Sequence, residues 1–308
     1  MPSTGSDHCR GVSSQVSNES HTSVVADVAA FGDLHLVDDV SAADWIVASA
    51  RNFEYDVGSL LPVTFDLYAR VLHPASRGSS GDTVDVAWSE VAAANGRIAH
   101  AAMEWLAITG DWKFEQQAGQ PGVWDQPPST GSLPPRTAAS LAGVLTRFTA
   151  TPSECWFGVW EGYGDAPFQP GTVPLIAMPQ RKMALLRGPL HAVGTTFSRM
   201  RWPESPSLWW PDDRSWCVAT DIDLMSTYIG GSAGCIETLL GDQRLEAYPV
   251  TVDQTVHWRS DTINPTPEPP PPPAAVTPHR SWRRLQPGRP SITSRGPRPA
   301  PPGDSPAR

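Results

Sequence analysis

Apolar and polar positions alternate most clearly over residues 63–72 (VTFDLYARVL). Val63, Phe65, Leu67, Ala69 and Val71 share one face, and Thr64, Asp66, Tyr68 and Arg70 the other. A period of two predicts a half-buried strand. The pattern returns over residues 216–224, with Trp216, Val218, Thr220, Ile222 and Leu224 on one side and Cys217, Ala219, Asp221 and Asp223 opposite. Shorter apolar runs at 84–88, 155–160, 182–186 and 248–256 read as further strands. Helical spacing appears where Leu141, Val144, Leu145 and Phe148 follow Thr137, a candidate cap. Ser232 is placed to cap a second helix that Gly241 ends, and residues 89–94 form a third ended by Asn95-Gly96. Residues 41–44 (SAAD) read as a capping box ahead of Trp45, Ile46 and Val47. Strands come in clusters and do not alternate with long helices. That order predicts an α+β fold with a mainly antiparallel or mixed sheet, in preference to a doubly wound one.

Gly, Pro and Ser divide the chain. Residues 1–23 are Ser-rich and polar and residues 24–40 are either a short helix or a lead-in strand, so 1–40 is expected to be mostly disordered. One α+β domain is expected over 41–261. Residues 265–308 hold fifteen of the 33 prolines, and 262–308 is expected to be a disordered Pro/Arg-rich tail. Residues 109–135 are too rich in Gly and Pro for regular structure, and a loop of that length suggests a lid or binding loop. Trp209-Trp210-Pro211 reads as a turn, where burying both indoles is difficult.

A hydrophobic fraction of 40% supplies enough apolar material for a sizeable core. No run approaches the roughly 18 apolar residues of a membrane span, and the N-terminus lacks an apolar signal core. A cytoplasmic setting without membrane contact is therefore expected, with Cys9, Cys155, Cys217 and Cys235 as free thiols. Their spacing matches no metal motif, so neither a metal nor another cofactor is expected. Charge is unevenly spread. Residues 262–308 carry seven arginines and two acids, a net of +5, and against −9 for the whole chain this leaves −14 for residues 1–261. A body so acidic repels phosphate backbones and argues against nucleic-acid binding.

Several stretches in order, among them VGSLLPVTFDLYARVLHPA, WSEVAAANGRIAH, LTRFTATPSECWFGVWEGYG and SLWWPDDRSWCVATDIDLMSTYIGGSAGCIETLL, resemble an uncharacterised family of actinobacterial proteins of the Streptomyces and Mycobacterium type. The resemblance covers residues 42–264. It implies a single domain in a bacterial cytoplasm, and it implies no activity.

Two constellations carry the functional expectations. Asp221 and Asp223, two apart on the predicted strand, point the same way, and paired carboxylates can divide acid and base roles. They are the candidates for a carboxylate-dependent hydrolase. Trp209 and Trp210 with Asp212 and Asp213 offer instead an acidic aromatic surface of the kind enriched at contact hot spots. No nucleophile elbow occurs; His73, His100, His191 and His257 are available as bases, and Cys155 or Cys217 could meet one of them in space. The leading expectation is a non-enzymatic domain that binds another protein, in an immunity- or regulator-type role.

Overall fold

The computed structural model describes residues 32–265, apart from 52–53, 79–81, 112–118, 164–167, 169–170 and 198–203. Of the expected tail over 262–308 only 262–265 are described, and there Ile263 and Asn264 are bonded to Asp261 and Ile98, so the fold runs past the expected boundary at 261. Residues 266–308 and Cys9 lie outside the described residues. The fold is α+β. Its strands in chain order are β1 (His35–Leu36), β2 (Leu67–Leu72), β3 (Ala75–Arg77), β4 (Val84–Val86), β5 (Cys155–Trp160), β6 (Leu175–Met178), β7 (Arg181–Gly188), β8 (Leu208–Pro211), β9 (Trp216–Ala219), β10 (Ser226–Gly231) and β11 (Ala247–Val250). The helices are α1 (Asp44–Ser49), α2 (Trp88–Ala94), α3 (Trp105–Thr109), α4 (Pro135–Leu145) and α5 (Ala233–Leu240).

Nine strands form one sheet in the order β1-β7-β5-β8-β9-β10-β2-β11, with β6 also pairing β7, while β3 and β4 form a separate hairpin. Every strand pairing among the described residues is antiparallel. Because β1 pairs β7, the fold takes in residues ahead of the expected boundary at 41.

Both faces of the sheet are covered. Val71, Phe157, Leu186, Trp209, Val218 and Ile229 face α4 and α5, burying Leu141, Leu145, Ile236 and Leu239 against them. On the opposite face Tyr68, Leu185, Leu208, Trp210, Cys217 and Tyr228 pack with Ile46 of α1, Val57 and Leu61. A third cluster, around Trp88, Trp105 and Trp124, joins the small hairpin to α2 and α3.

This coverage corrects several expectations. β2 is buried on both faces from Tyr68 onward, so it is no half-buried strand, and residues 63–66 precede it. Trp209 and Trp210 do not form a turn. They lie in β8, paired with Phe157 and Trp156 of β5, and both are fully buried. One indole faces each side: Trp209 meets the Trp216 ring at 5.4 Å and Trp210 meets Trp45 at 6.5 Å. Pro211 is tolerated because it ends the strand. The alternation at 216–224 spans two structures, β9 and the turn after it. Ser41 caps nothing through its side chain; Asp39 accepts its N–H at 2.9 Å, and a 3-10 turn over Ser41–Ala43 leads into α1. α4 begins with Pro135 at its first position, and Thr137 lies buried inside it. The cap on α5 is as expected: Ser232 Oγ accepts the Cys235 N–H at 3.4 Å.

Candidate functional site

Asp221 and Asp223 sit in the turn between β9 and β10, not on a strand. Leu224 N–H closes that turn onto the Asp221 carbonyl at 3.1 Å, and Asp223 N–H donates to Asp221 Oδ1 at 3.0 Å. A neighbouring loop supports it from outside. Gly131 N–H donates to the Leu224 carbonyl at 2.9 Å. Gly131 has φ +75°, and a Cβ there would fall 2.5 Å from the Ile222 carbonyl oxygen, so only glycine fits. That contact comes from the end of the 109–135 loop. The loop's described middle turns away, burying Trp124 in the third cluster, and so forms no lid over the aspartates.

Both carboxylates are committed to Arg181, the first residue of β7. Its Nε and Nη2 donate to Asp221 at 2.9 and 3.3 Å, and Nη2 donates to Asp223 at 2.7 Å. Burial works against the guanidinium's charge, but the two aspartates outweigh it and hold its pKa above the ordinary value. Asp221 is nearly buried, at 8% side-chain exposure, whereas Asp223 is 74% exposed. One buried and one exposed carboxylate sharing a guanidinium form a structural clamp. Neither is left unpaired to serve as a base.

Cavities flank the clamp on both sides. The inner one, of ≈ 30 Å³, is walled by Leu60, Trp160, Met178, Met183, Leu208 and Ile222, with Arg181 and Asp221 at its rim. The outer, of ≈ 170 Å³, lies between Tyr55, Leu60, Leu224, Val256, His257 and Trp258, with Asp221 and Asp223 beside them. Leu60, Ser59 and Asp221 border both. Tyr55 has φ +57°, a conformation costly for a bulky side chain, and its carbonyl accepts the Val256 N–H at 2.8 Å.

Of the exposed apolar side chains, Tyr55 and Trp258 stand on the wall of the outer cavity. Tyr55, Ile98, Trp258 and Ile263 are each about half exposed. Asn264 joins the segments of Ile98 and Ile263: its Oδ1 accepts the Ile98 N–H at 2.9 Å, and its Nδ2 donates to the Ile98 carbonyl at 3.0 Å. Arg259 stacks over the Trp258 ring at 4.2 Å, and Glu54 and Asp223 are exposed carboxylates near the same rim.

The remaining sequence candidates take structural places. Asp212 accepts the Trp156 indole N–H at 3.0 Å. Asp213 accepts the Thr149 hydroxyl at 2.8 Å and the Ala150 N–H at 2.6 Å. Burial would raise the Asp213 pKa, but bonds from Ser215, Ala150 and Thr149 outweigh it and lower the value. These residues anchor the β8–β9 turn, and with Trp209 and Trp210 buried the expected four-residue contact surface does not form. Burial pushes the Cys155 thiol up to about 12 and Cys235 to about 11, and raises Cys217 as well. All three are free, buried and protonated.

His73 is buried, with its pKa pushed down to about 4 chiefly by burial. Its Nδ1–H donates to the Ser129 carbonyl at 2.7 Å, which can only accept. Nε2 therefore accepts the Thr227 hydroxyl at 2.9 Å, whose oxygen in turn accepts from Thr220 at 2.7 Å. The Ser129 hydroxyl donates to the Ser132 carbonyl at 2.7 Å, so the hydroxyl that His73 accepts from is that of fully buried Thr227 and not that of Ser129. Among the described residues no group of three or more His, Cys, Asp or Glu is arranged to hold a metal ion, and no helix is long and apolar enough to cross a membrane.

The chain matches no family model, no curated protein and no solved structure.

Proposed function

We propose that the domain is a protein-binding module, and that its contact surface is the Tyr55–Trp258 end and not the Trp209-Trp210 segment. The observation that carries this reading is that Tyr55 and Trp258, both about half exposed, stand together on the wall of a largely apolar cavity of ≈ 170 Å³. Grouped exposed apolar side chains mark contact surfaces, and Trp and Tyr dominate binding energy at them. The cavity takes one apolar side chain as an anchor. Exposed Glu54 beside Tyr55, together with the −14 carried by residues 1–261, favours a partner whose anchor is flanked by Lys or Arg.

The hydrolase reading loses support from the same geometry. Asp221 and Asp223 border the cavities, but both are bonded to Arg181. A displayed library of random peptides selected on the full chain tests the proposal. Convergence on an aromatic or leucine residue next to a basic one is expected, with affinity falling about tenfold or more in Trp258→Ala, the loss typical of a hot spot. Selection without a consensus, or a consensus indifferent to Trp258→Ala, overturns it.

A further inference from the structure

We propose that a polar cleft at the start of α4 binds the phosphate group of a phosphorylated sugar or similar polyol. The cleft measures ≈ 470 Å³ and shares no lining residue with the cavity beside Tyr55 and Trp258.

The helix opens on the sequence PPRTAAS. Pro134 supplies no side-chain cap, Pro135 has no N–H, and the Ala138 N–H returns to the Pro134 carbonyl at 2.8 Å. The N–H groups of Arg136 and Thr137 are left without an acceptor among the described residues. An uncapped helix start is by itself ordinary, because water serves it as well. Thr137 adds a second demand. The residue is only 6% exposed, yet its hydroxyl bonds to no other group of the chain. That hydroxyl is not sealed into the core, and the residue lines the cleft, so what remains open of it faces there. Buried hydroxyls nearly always have a partner, and this one can take it only from the cleft.

Helical spacing brings further donors to the same place. Ser140 lies four residues beyond Arg136 and three beyond Thr137, on one face with them, and lines the same cleft. Its hydroxyl and the exposed Arg136 guanidinium have no partner among the described residues. Arg244, from the segment between α5 and β11, lines the cleft too. Its Nε and Nη2 are held by Asp242 at 2.9 and 2.6 Å, which leaves Nη1 unused. The first turn of α4 thus presents two N–H groups, two hydroxyls and a guanidinium, all able to donate. A carboxylate has two oxygens to receive them, whereas a phosphomonoester has three strong acceptors and more charge. Helix starts and arginine forks both favour that group.

Two acids share the cleft. Glu246 is already spent, since it accepts the Trp88 and Ser89 N–H groups at 2.6 and 2.8 Å. Asp85 makes no ion pair, and beside the Gln243 amide it suits hydroxyl groups on the body of the ligand. No aromatic residue lines the cleft, so it offers no platform for a base, and its volume exceeds what one phosphate group fills. These features select a polyhydroxylated body over a nucleotide.

Amide NMR shifts of the full chain test this, with glucose 6-phosphate, inorganic phosphate and glucose titrated in turn at matched pH and ionic strength. Glucose 6-phosphate should move the Arg136 and Thr137 amides along a saturable curve. Inorganic phosphate should move the same amides with weaker affinity, and glucose alone should move neither. The Ala233 and Gly234 amides at the start of α5 report any general affinity of helix starts for anions and should stay unmoved. Arg136→Gln changes an exposed side chain and leaves the core intact. It should weaken glucose 6-phosphate about tenfold or more, the loss of one charge-assisted hydrogen bond. Thr137→Val, which keeps the buried shape without the hydroxyl, should do likewise. The assignment is overturned by no saturable shift with either phosphate compound, by equal shifts at α5, or by an affinity unchanged in Arg136→Gln. Glucose 6-phosphate binding no tighter than inorganic phosphate overturns it as well.

Discussion

His73 and Glu104 both feel the buried Arg70, and burial drives them in opposite senses. Loss of solvent favours the neutral form of each, which lowers His73 to about 4 and raises Glu104 to about 7. The neutral His73 stabilises the fold fully above the ordinary 6.5, and that stability is lost as pH falls through 4. The neutral Glu104 stabilises it fully below 4.5, and that stability is lost as pH rises through about 7. Between pH 4.5 and 6.5 the two slopes oppose, so the urea midpoint of the native chain should change little there. Glu104→Gln should expose a midpoint rising with pH, and His73→Gln one falling with pH. Parallel profiles for all three proteins would mean that the fold does not hold these side chains neutral. Neither behaviour was legible in the sequence, where a lone His after a strand and a lone Glu before an apolar run carry no sign of what covers them.

At the scale of elements, legibility followed how local the determining interactions are. α5 was readable because its cap and its end, Ser232 and Gly241, lie within the helix's own neighbourhood. Ser232→Ala should accordingly cost about 1 kcal/mol in a denaturation experiment. β5 was readable as a bounded apolar run, CWFGVW, and matched its expected limits. β8 and β10 were not, since each carries residues that signal turns: Pro211 in the first, Gly230 and Gly231 in the second. In β10 the glycine is demanded by packing, because a Cβ on Gly230 would collide with the Phe65 ring. β9 was over-extended for the converse reason: alternation continued past Ala219 into a turn that Arg181 stabilises from another hairpin. Burial of β8 gives a direct check. Trp210→Ala removes a fully buried indole and should destabilise by about 3–5 kcal/mol, whereas half-exposed Trp258→Ala should leave the melting temperature nearly unchanged. Equal losses for the two would mean that Trp258 is core and the proposed surface is wrong.

For the molecule as a whole, the candidate site could not be read from any one stretch. Its walls come from residues 55–60, 178–183, 220–224 and 256–258, and the guanidinium that neutralises Asp221 lies 40 positions away. The sequence did give the carboxylates, but their partner and the exposed Trp258 depend on the sheet order that brings β7 and the β9–β10 turn together. That sheet is covered on both faces, and its cysteines report on the coverage. Cys155 in β5 and Cys235 in α5 belong to the face under α4 and α5, Cys217 in β9 to the opposite face, and none has exposed surface. A thiol reagent attacks the thiolate, which burial suppresses at all three sites. Reaching any of them requires separating a layer from the sheet, and no layer can leave without exposing most of a core cluster. Labelling in a Cys9→Ser background should therefore proceed through global unfolding alone. All three thiols should then react at one common rate, negligible over hours in buffer. The free energy taken from its denaturant dependence should equal that from the unfolding curve. Rapid labelling of Cys235 alone would show instead that α5 opens independently, and that one face of the sheet is held far less firmly than its packing implies.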